Sequence, residues 1–352
     1  PPLNEACPCR LHGVLFAKGM FMFKSLLSLT FMALLVATSP VQAEGKAPIV
    51  IKFSHVVAED TPKGKGALLF KKLVEERLAG QVVVEVYPNS TLFGDGDEIN
   101  ALREGKVQML APSLSKFEAY TKQLQVFDLP FLFDDLEAVK RFQKRDKSRE
   151  LLHAMSSHGI YGLAYWNNGM KQLTANRELR KPEDAKGLVF RIQPSSVLEA
   201  QFSQLGAKTV KMPFAEAFKA LQAGTIQGTE GPWSNIASQK VDTVQPFINE
   251  LNHGSLSYML ISSKTFWASI PYKTRTDLEA IIEEVSFSVN KDAEALNNND
   301  RQRIIAAGNA KVVTLTADER AVWRTALSPM WKTFEAEIGA DVLRAAQAVN
   351  RR

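Results

Sequence analysis

Cysteine is almost absent from this 352-residue sequence. Only Cys7 and Cys9 occur, so the rest of the chain lacks a disulfide, a thiol nucleophile and a cysteine metal ligand. Histidine is scarce as well, with five in all. His153 and His158 stand five positions apart, on different faces of a helix, and no H-E-x-x-H pair exists. The G-x-S-x-G elbow of serine hydrolases is missing. Gly64 and Gly66 open a G-x-G pattern that no third glycine completes, and no G-x-x-x-x-G-K-[ST] loop is present. With none of these constellations, the reading is of a protein that is not an enzyme, with no catalytic residue, metal or cofactor.

Charge of one sign is never concentrated. The net charge is +5, spread along the chain without a block of five like charges, so no nucleic-acid partner is expected. Long apolar runs are missing too, with one exception. Lys24 precedes an uncharged stretch, Ser25 to Ser39, followed by Pro40 and the small-residue ending Val41-Gln42-Ala43. The run falls short of the roughly 20 apolar residues that a spanning helix needs. A basic start, a short apolar run and an alanine-terminated cleavage site make a secretory signal peptide. Residues 1–19 read as leader sequence upstream of Met20 and Met22. The expected mature chain starts at Glu44 rather than a cysteine, so no lipid anchor is expected.

From there the pattern is that of an α/β protein. Ile49 to Ser54 and Val82 to Tyr87 read as strands flanking a helix from Pro62 to Ala79. A helix over Asp97 to Glu104 and a strand over Val107 to Ala111 follow. Such βαβ runs predict a largely parallel sheet. Further strands are expected at Ile160 to Trp166, Leu188 to Ile192 and Leu256 to Ile261. Helices are expected at Val197 to Leu205 and Pro213 to Ala223. No Gly or Pro interrupts Tyr272 to Ala307, where Leu278, Ile281, Ile282, Val285, Val289 and Leu296 recur on one side. A helix that long exceeds one small domain and crosses between two. Thr316 and Glu319 form a capping box for a final helix.

Ligand sites in α/β folds lie at strand ends. Arg191 ends the apolar run Leu188-Val189-Phe190, so its guanidinium emerges at the carboxyl edge of a strand. Two readings stay open for it: a structural salt bridge, or a bidentate clamp on a carboxylate. Trp166 and Trp233 likewise read as core residues or as surfaces for ligand stacking.

Several segments resemble the solute receptors of tripartite ATP-independent periplasmic (TRAP) transporters. These are Phe53-Ser54-His55, Thr61-Pro62-Lys63-Gly64, Leu92-Phe93-Gly94-Asp95, Phe127-Asp128-Leu129-Pro130-Phe131, Gly187 to Ile192, Met212 to Glu216 and Asn252-His253-Gly254. The likeness runs in order through the mature chain and is strongest to the dicarboxylate receptors for malate, succinate and fumarate. It implies a two-lobed periplasmic binding protein fold, with a ligand cleft between the lobes and a long inter-lobe helix. Lobe I would hold residues 44–168 plus 257–296, lobe II residues 169–256 plus 297–352, after removal of 1–43.

The resemblance implies that Arg191 binds the ligand carboxylate, with Lys171, Lys63, His55, Asn235, Trp233 and Asn168 as further ligand-binding candidates. Relatives usually carry an asparagine where this chain has Gly231, in Gly228-Thr229-Glu230-Gly231-Pro232; Asn235 is a candidate to compensate. The implied protein is a periplasmic monomer handing a small carboxylate to the small and large membrane subunits of an ion-gradient-driven transporter. The same fold also suits a sugar acid or a periplasmic sensor subunit. Intact-mass measurement of exported protein should give a chain beginning at Glu44. A form that retains Lys24 or carries lipid overturns the processing reading.

Overall fold

The computed structural model describes residues 47–350; the expected signal peptide lies outside the described residues. Its strands are β1 (Ile49–Ser54), β2 (Val82–Tyr87), β3 (Met109–Leu110), β4 (Ile160–Met170), β5 (Gln172–Ala175), β6 (Val189–Ile192), β7 (Lys208–Lys211), β8 (Gly228–Gly231), β9 (Phe247–Glu250), β10 (Ser255–Ser263) and β11 (Lys311–Thr314). They form two sheets, β2-β1-β3-β10-β4 and β11-β9-β5-β8-β6-β7.

The strands of the βαβ run, β1 to β3, pair in parallel as expected, but both sheets are mixed. In the first, β1 runs parallel to β2 and β3, but β10 is antiparallel to both β3 and β4. In the second, β5 is antiparallel to β8 and β9. The cause is the route of the chain. It leaves the first sheet from β4 into β5 with only Lys171 between, and returns from β9 into β10 through residues 251–254. One connection goes out and the other comes back, so the paired strands β4 and β10 oppose each other.

The expected long helix spans Tyr272–Ala307 and stops at Gly308, which takes φ 67°. Its first half buries Leu278, Ile281, Ile282 and Val285 against Phe53, Phe70 and Trp166 in one apolar cluster. Trp166 is fully buried and donates its indole N–H to Ser286 at 2.8 Å, so the core reading holds for it. Further along, the buried side chains turn polar. β4 is an edge strand, and its free backbone groups need partners. Asn290 supplies them: Oδ1 accepts from the Asn167 N–H at 2.7 Å, and Nδ2 donates to the Tyr165 carbonyl at 2.9 Å. Asn297 donates to the Asn168 carbonyl at 2.8 Å. The helix thus acts as the missing neighbour of the strand that crosses between sheets.

The C-terminal helices Ala317–Leu327, Met330–Ile338 and Ala340–Gln347 bring Trp323, Leu327 and Phe334 into a core that also holds Phe127 and Phe142 on the first-sheet side and Phe190 and Phe202 on the second. No helix among the described residues is long and apolar enough to cross a membrane.

Packing inside the second sheet is tight enough to forbid a methyl group at Gly228. A Cβ there would run into the Thr174 carbonyl oxygen and lie 2.5 Å from the Phe190 ring. Gly228→Ala should therefore cost about 1–3 kcal/mol or more of stability, the range for overpacking. Chemical denaturation checks this, and an unchanged midpoint would contradict the packing argument.

Candidate functional site

Between the sheets lies a cavity with about 430 Å³ of empty space, its open mouth included. Four cationic side chains line it: Lys63, Lys116, Lys171 and Arg191. They face two carboxylates, Asp95 and Glu230. Positive charge is in excess, and most of it is out of water.

Arg191 comes from β6, buried to 5% exposure at the edge that faces the first sheet. Its Nε donates to the Met212 carbonyl at 2.8 Å, and the guanidinium lies 5.9 Å from the Phe214 ring centre. The nearest carboxylate, Asp95, is 3.8 Å from one terminal nitrogen. That is too long for a hydrogen bond, so the fork is oriented through Nε while its ends remain open to the cavity. Burial pushes the guanidinium below its usual pKa, with Asp95 and Glu230 opposing.

Lys63 comes from the other side, at the start of the Pro62–Arg77 helix. Thr61 caps that helix by accepting from the Gly64 N–H at 3.2 Å. The Lys63 ammonium donates to the Ala111 carbonyl at 3.0 Å and lies 3.9 Å from the centre of the Tyr258 ring. Burial, with the Lys116 charge, lowers its pKa to about 7, against the pull of Glu98 and Asp95. Lys116 bonds both Asp95 and Glu98, the latter at 2.6 Å.

Lys171 is not an open charge. It pairs with Glu230 Oε1 at 2.6 Å, and Glu230 Oε2 meets His253 Nε2 at 2.8 Å. Burial alone would raise the Glu230 carboxyl, but Lys171 and His253 outweigh it and hold the group at about 2. Lys171 and His253 belong to the two connections that cross between the sheets, so Glu230 ties both crossings together.

His55 and Asn168 sit behind the cavity rather than in its wall. His55 packs edge-on to Phe53, with ring centres 6.2 Å apart. Burial and the neighbouring Lys63 lower its pKa to about 3, so it is a neutral ring. Asn168 donates to Asn235 Oδ1 at 2.8 Å and to the Tyr258 hydroxyl at 3.1 Å, and accepts from the Ser234 hydroxyl at 2.6 Å. It positions Asn235, which does line the cavity. Trp233 lies elsewhere, among Leu221, Ile236 and Ile304, with Arg301 over its ring at 5.8 Å. Its assignment to the ligand site is corrected: the indole completes an apolar cluster under the second sheet. Among the described residues, no three His, Cys, Asp or Glu side chains converge as a metal site requires.

Residues 53–337 match the model of the family described as bacterial extracellular solute-binding protein, family 7. The chain belongs to this family. The C4-dicarboxylate-binding periplasmic protein DctP of Shewanella loihica is 52% identical over 304 residues, which covers 86% of this chain and 90% of that protein. A TRAP periplasmic solute-binding protein of Pseudomonas aeruginosa PAO1, solved with bound L-malate, is 71% identical. It has a TM-score of 0.80, with 81% of this chain and 100% of that one covered. Another, from Shewanella oneidensis with bound succinate, is 52% identical with a TM-score of 0.86, covering 87% and 100%. The sequence resemblance and the two-lobed fold it implied are thereby borne out.

Sequence reasoning missed Asp95, Lys116, Glu230 and Tyr258 as members of this wall. Glu230 carried a usable signal, since a charge inside the short strand Gly228–Gly231 needs a buried partner. Glu230→Gln removes the anion between Lys171 and His253 and should cost roughly 3–5 kcal/mol at neutral pH. The folded pKa lies below the unfolded one, so this contribution is fully present above the unfolded value and fades as pH falls toward about 2. Urea denaturation of both proteins across that range tests it. A constant difference between them at every pH would contradict the assignment.

Proposed function

We propose that this chain is a periplasmic receptor for a four-carbon dicarboxylate such as malate, succinate or fumarate. It delivers the acid to the small and large membrane subunits of an ion-gradient-driven TRAP transporter. The observation that carries this reading is the pair Arg191 and Lys63: two buried cations that enter one cavity from opposite sides, one from a strand of the second sheet and one from the Pro62–Arg77 helix. Among the described residues Lys63 has no carboxylate within ion-pair distance. A buried unpaired ammonium is costly, and an arriving anion relieves that cost. One carboxylate of the ligand takes the open end of the Arg191 fork and the other meets Lys63. A sugar acid with a single carboxylate satisfies only one of the two.

The division into lobes belongs to the same proposal, with residues 44–168 plus 257–296 around the first sheet and 169–256 plus 297–352 around the second. A ligand held by Lys63 of one lobe and Arg191 of the other binds the closed arrangement better than the open one, which is what shifts the population. Signal-peptide removal before Glu44 would release the receptor into the periplasm as a monomer without a lipid anchor. No catalysis is part of this function.

Arg191 bears the test. Truncating one partner of a buried charge pair costs roughly 2–5 kcal/mol. At about 1.4 kcal/mol per decade, Arg191→Ala should weaken binding on the order of 30-fold to several thousand-fold. Arg191→Lys keeps the charge without the fork and should fall between the two. Calorimetric titration with L-malate and succinate measures this, with circular dichroism as the folding control. A folded Arg191→Ala protein that binds within about threefold of wild type would falsify the clamp.

A further inference from the structure

Asp95, Glu98 and Glu230 are each committed to a donor other than Lys63. Asp95 and Glu98 both bond Lys116, and Asp95 turns its second oxygen to the Phe214 N–H. Across the cavity, Glu230 is shared by Lys171 and His253. The other groups around the Lys63 ammonium bring no negative charge. His55 is a ring that burial keeps neutral, Tyr258 is a phenol whose pKa burial raises to about 12, and Arg191 is a further cation. Among the described residues, Lys63 is the lysine of this cavity without a carboxylate partner.

What surrounds it instead is neutral. An ammonium carries several N–H donors; here it meets the Ala111 carbonyl at 3.0 Å, and the Tyr258 ring centre lies 3.9 Å from the nitrogen. The residue is 2% exposed, so solvent adds little. Such a place disfavours the charged form, and lysine shifts readily when buried. Burial is the largest cause of the lowered Lys63 pKa of about 7, which Glu98 and Asp95 oppose and Lys116 supports. A ligand carboxylate changes that balance, because an opposite charge within about 4–6 Å favours the ammonium. The proton comes from solvent, since both carboxyls of a free dicarboxylic acid are already ionised above neutral pH.

We propose that Lys63 is a proton site that fills when the acid binds, so that the receptor takes up a dicarboxylate dianion and a proton together. This rests on the reading above, in which Lys63 meets the second carboxylate, and adds the proton to that contact. Above neutral pH the empty receptor then holds fewer protons than the occupied one, so affinity falls as pH rises. Toward about pH 6 Lys63 is charged in both forms, and the dependence on it disappears.

The test is calorimetric titration of the purified protein with succinate, in pairs of buffers that differ in ionisation enthalpy. The difference between the two heats counts the protons taken up per acid bound. Wild type should take up roughly 0.5–0.9 proton at about pH 8, and less as pH falls toward about 6. Its affinity should drop on the order of 30-fold between about pH 7 and about pH 9. Lys63→Arg places a guanidinium that stays charged throughout this range. It should abolish both the uptake and the pH slope, with circular dichroism as the folding control. An uptake that persists in folded Lys63→Arg overturns the assignment. Where that variant does not fold, the wild-type profile decides alone. Uptake below about 0.1 proton at about pH 8, or an affinity constant within about threefold from pH 7 to 9, overturns the proton site. Binding of neither succinate nor L-malate at any pH would instead overturn the dicarboxylate reading on which it rests.

Discussion

Positive charge held out of water between two sheets is the constraint on which the rest of this structure depends. Moving an ammonium or guanidinium into the interior costs several kcal/mol unless a partner is supplied. Each cation of the cavity meets this cost differently. Lys171 has a carboxylate of its own, and Lys116 has two. Arg191 makes one backbone hydrogen bond and keeps Asp95 at a distance. Lys63 has a carbonyl and the face of a tyrosine, and its lowered pKa is the sign that these do not suffice. Charge left incompletely compensated on both sides of a cleft is a poor way to stabilise a protein and a good way to bind a dianion.

The fold has to hold those charges in place. It does so by concentrating polar contacts at the crossings. Lys171 and His253, one from each connection, share the carboxylate of Glu230, which itself faces the cavity. The Lys171 N–H also donates to the Gly254 carbonyl at 2.7 Å, which joins the two connections directly. Gln172 and Asn252 add a second tie, with the Gln172 amide N–H donating to Asn252 at 2.6 Å. Away from the crossings, Ser113 donates to Gln193, Asp95 accepts from the Phe214 N–H, and Asp128 accepts from the Ser195 hydroxyl. The crossings are therefore bound by buried ionic and backbone contacts.

Legibility in the sequence followed the range of the interactions. The helix from Tyr272 to Ala307 was readable to the residue, because its limits are set locally by Pro271 and Gly308. Arg191 was readable because an arginine ending an apolar strand is conspicuous within a few residues. Strand direction was readable for β1 to β3 but not for β5 and β10, since nothing local distinguishes a strand that returns to its own sheet from one that crosses to another. Trp233 was misplaced for the same reason: its neighbours Leu221, Ile248 and Ile304 are distant in sequence. The roles of Asp95 and Glu230 depend on cations 21 to 96 residues away, from Lys116 to Arg191, and no spacing rule reaches that far.

Contrasting residues of one type show how the site differs from the scaffold. Asn290 and Asn297 spend their side chains on the backbone of β4, where every donor and acceptor has a fixed partner. Asn168 is equally satisfied but points its effect forward, because its amide orients Asn235 and the Tyr258 hydroxyl. Asn235 itself lines the cavity. The glycines divide in the same way, with Gly228 sealed by the Phe190 ring and Gly231 facing open space. Unspent capacity is costly in a core and is tolerated where a ligand completes it. That the open-ended arginine fork and the poorly paired lysine enter one cavity is what makes that cavity a site rather than a gap in packing.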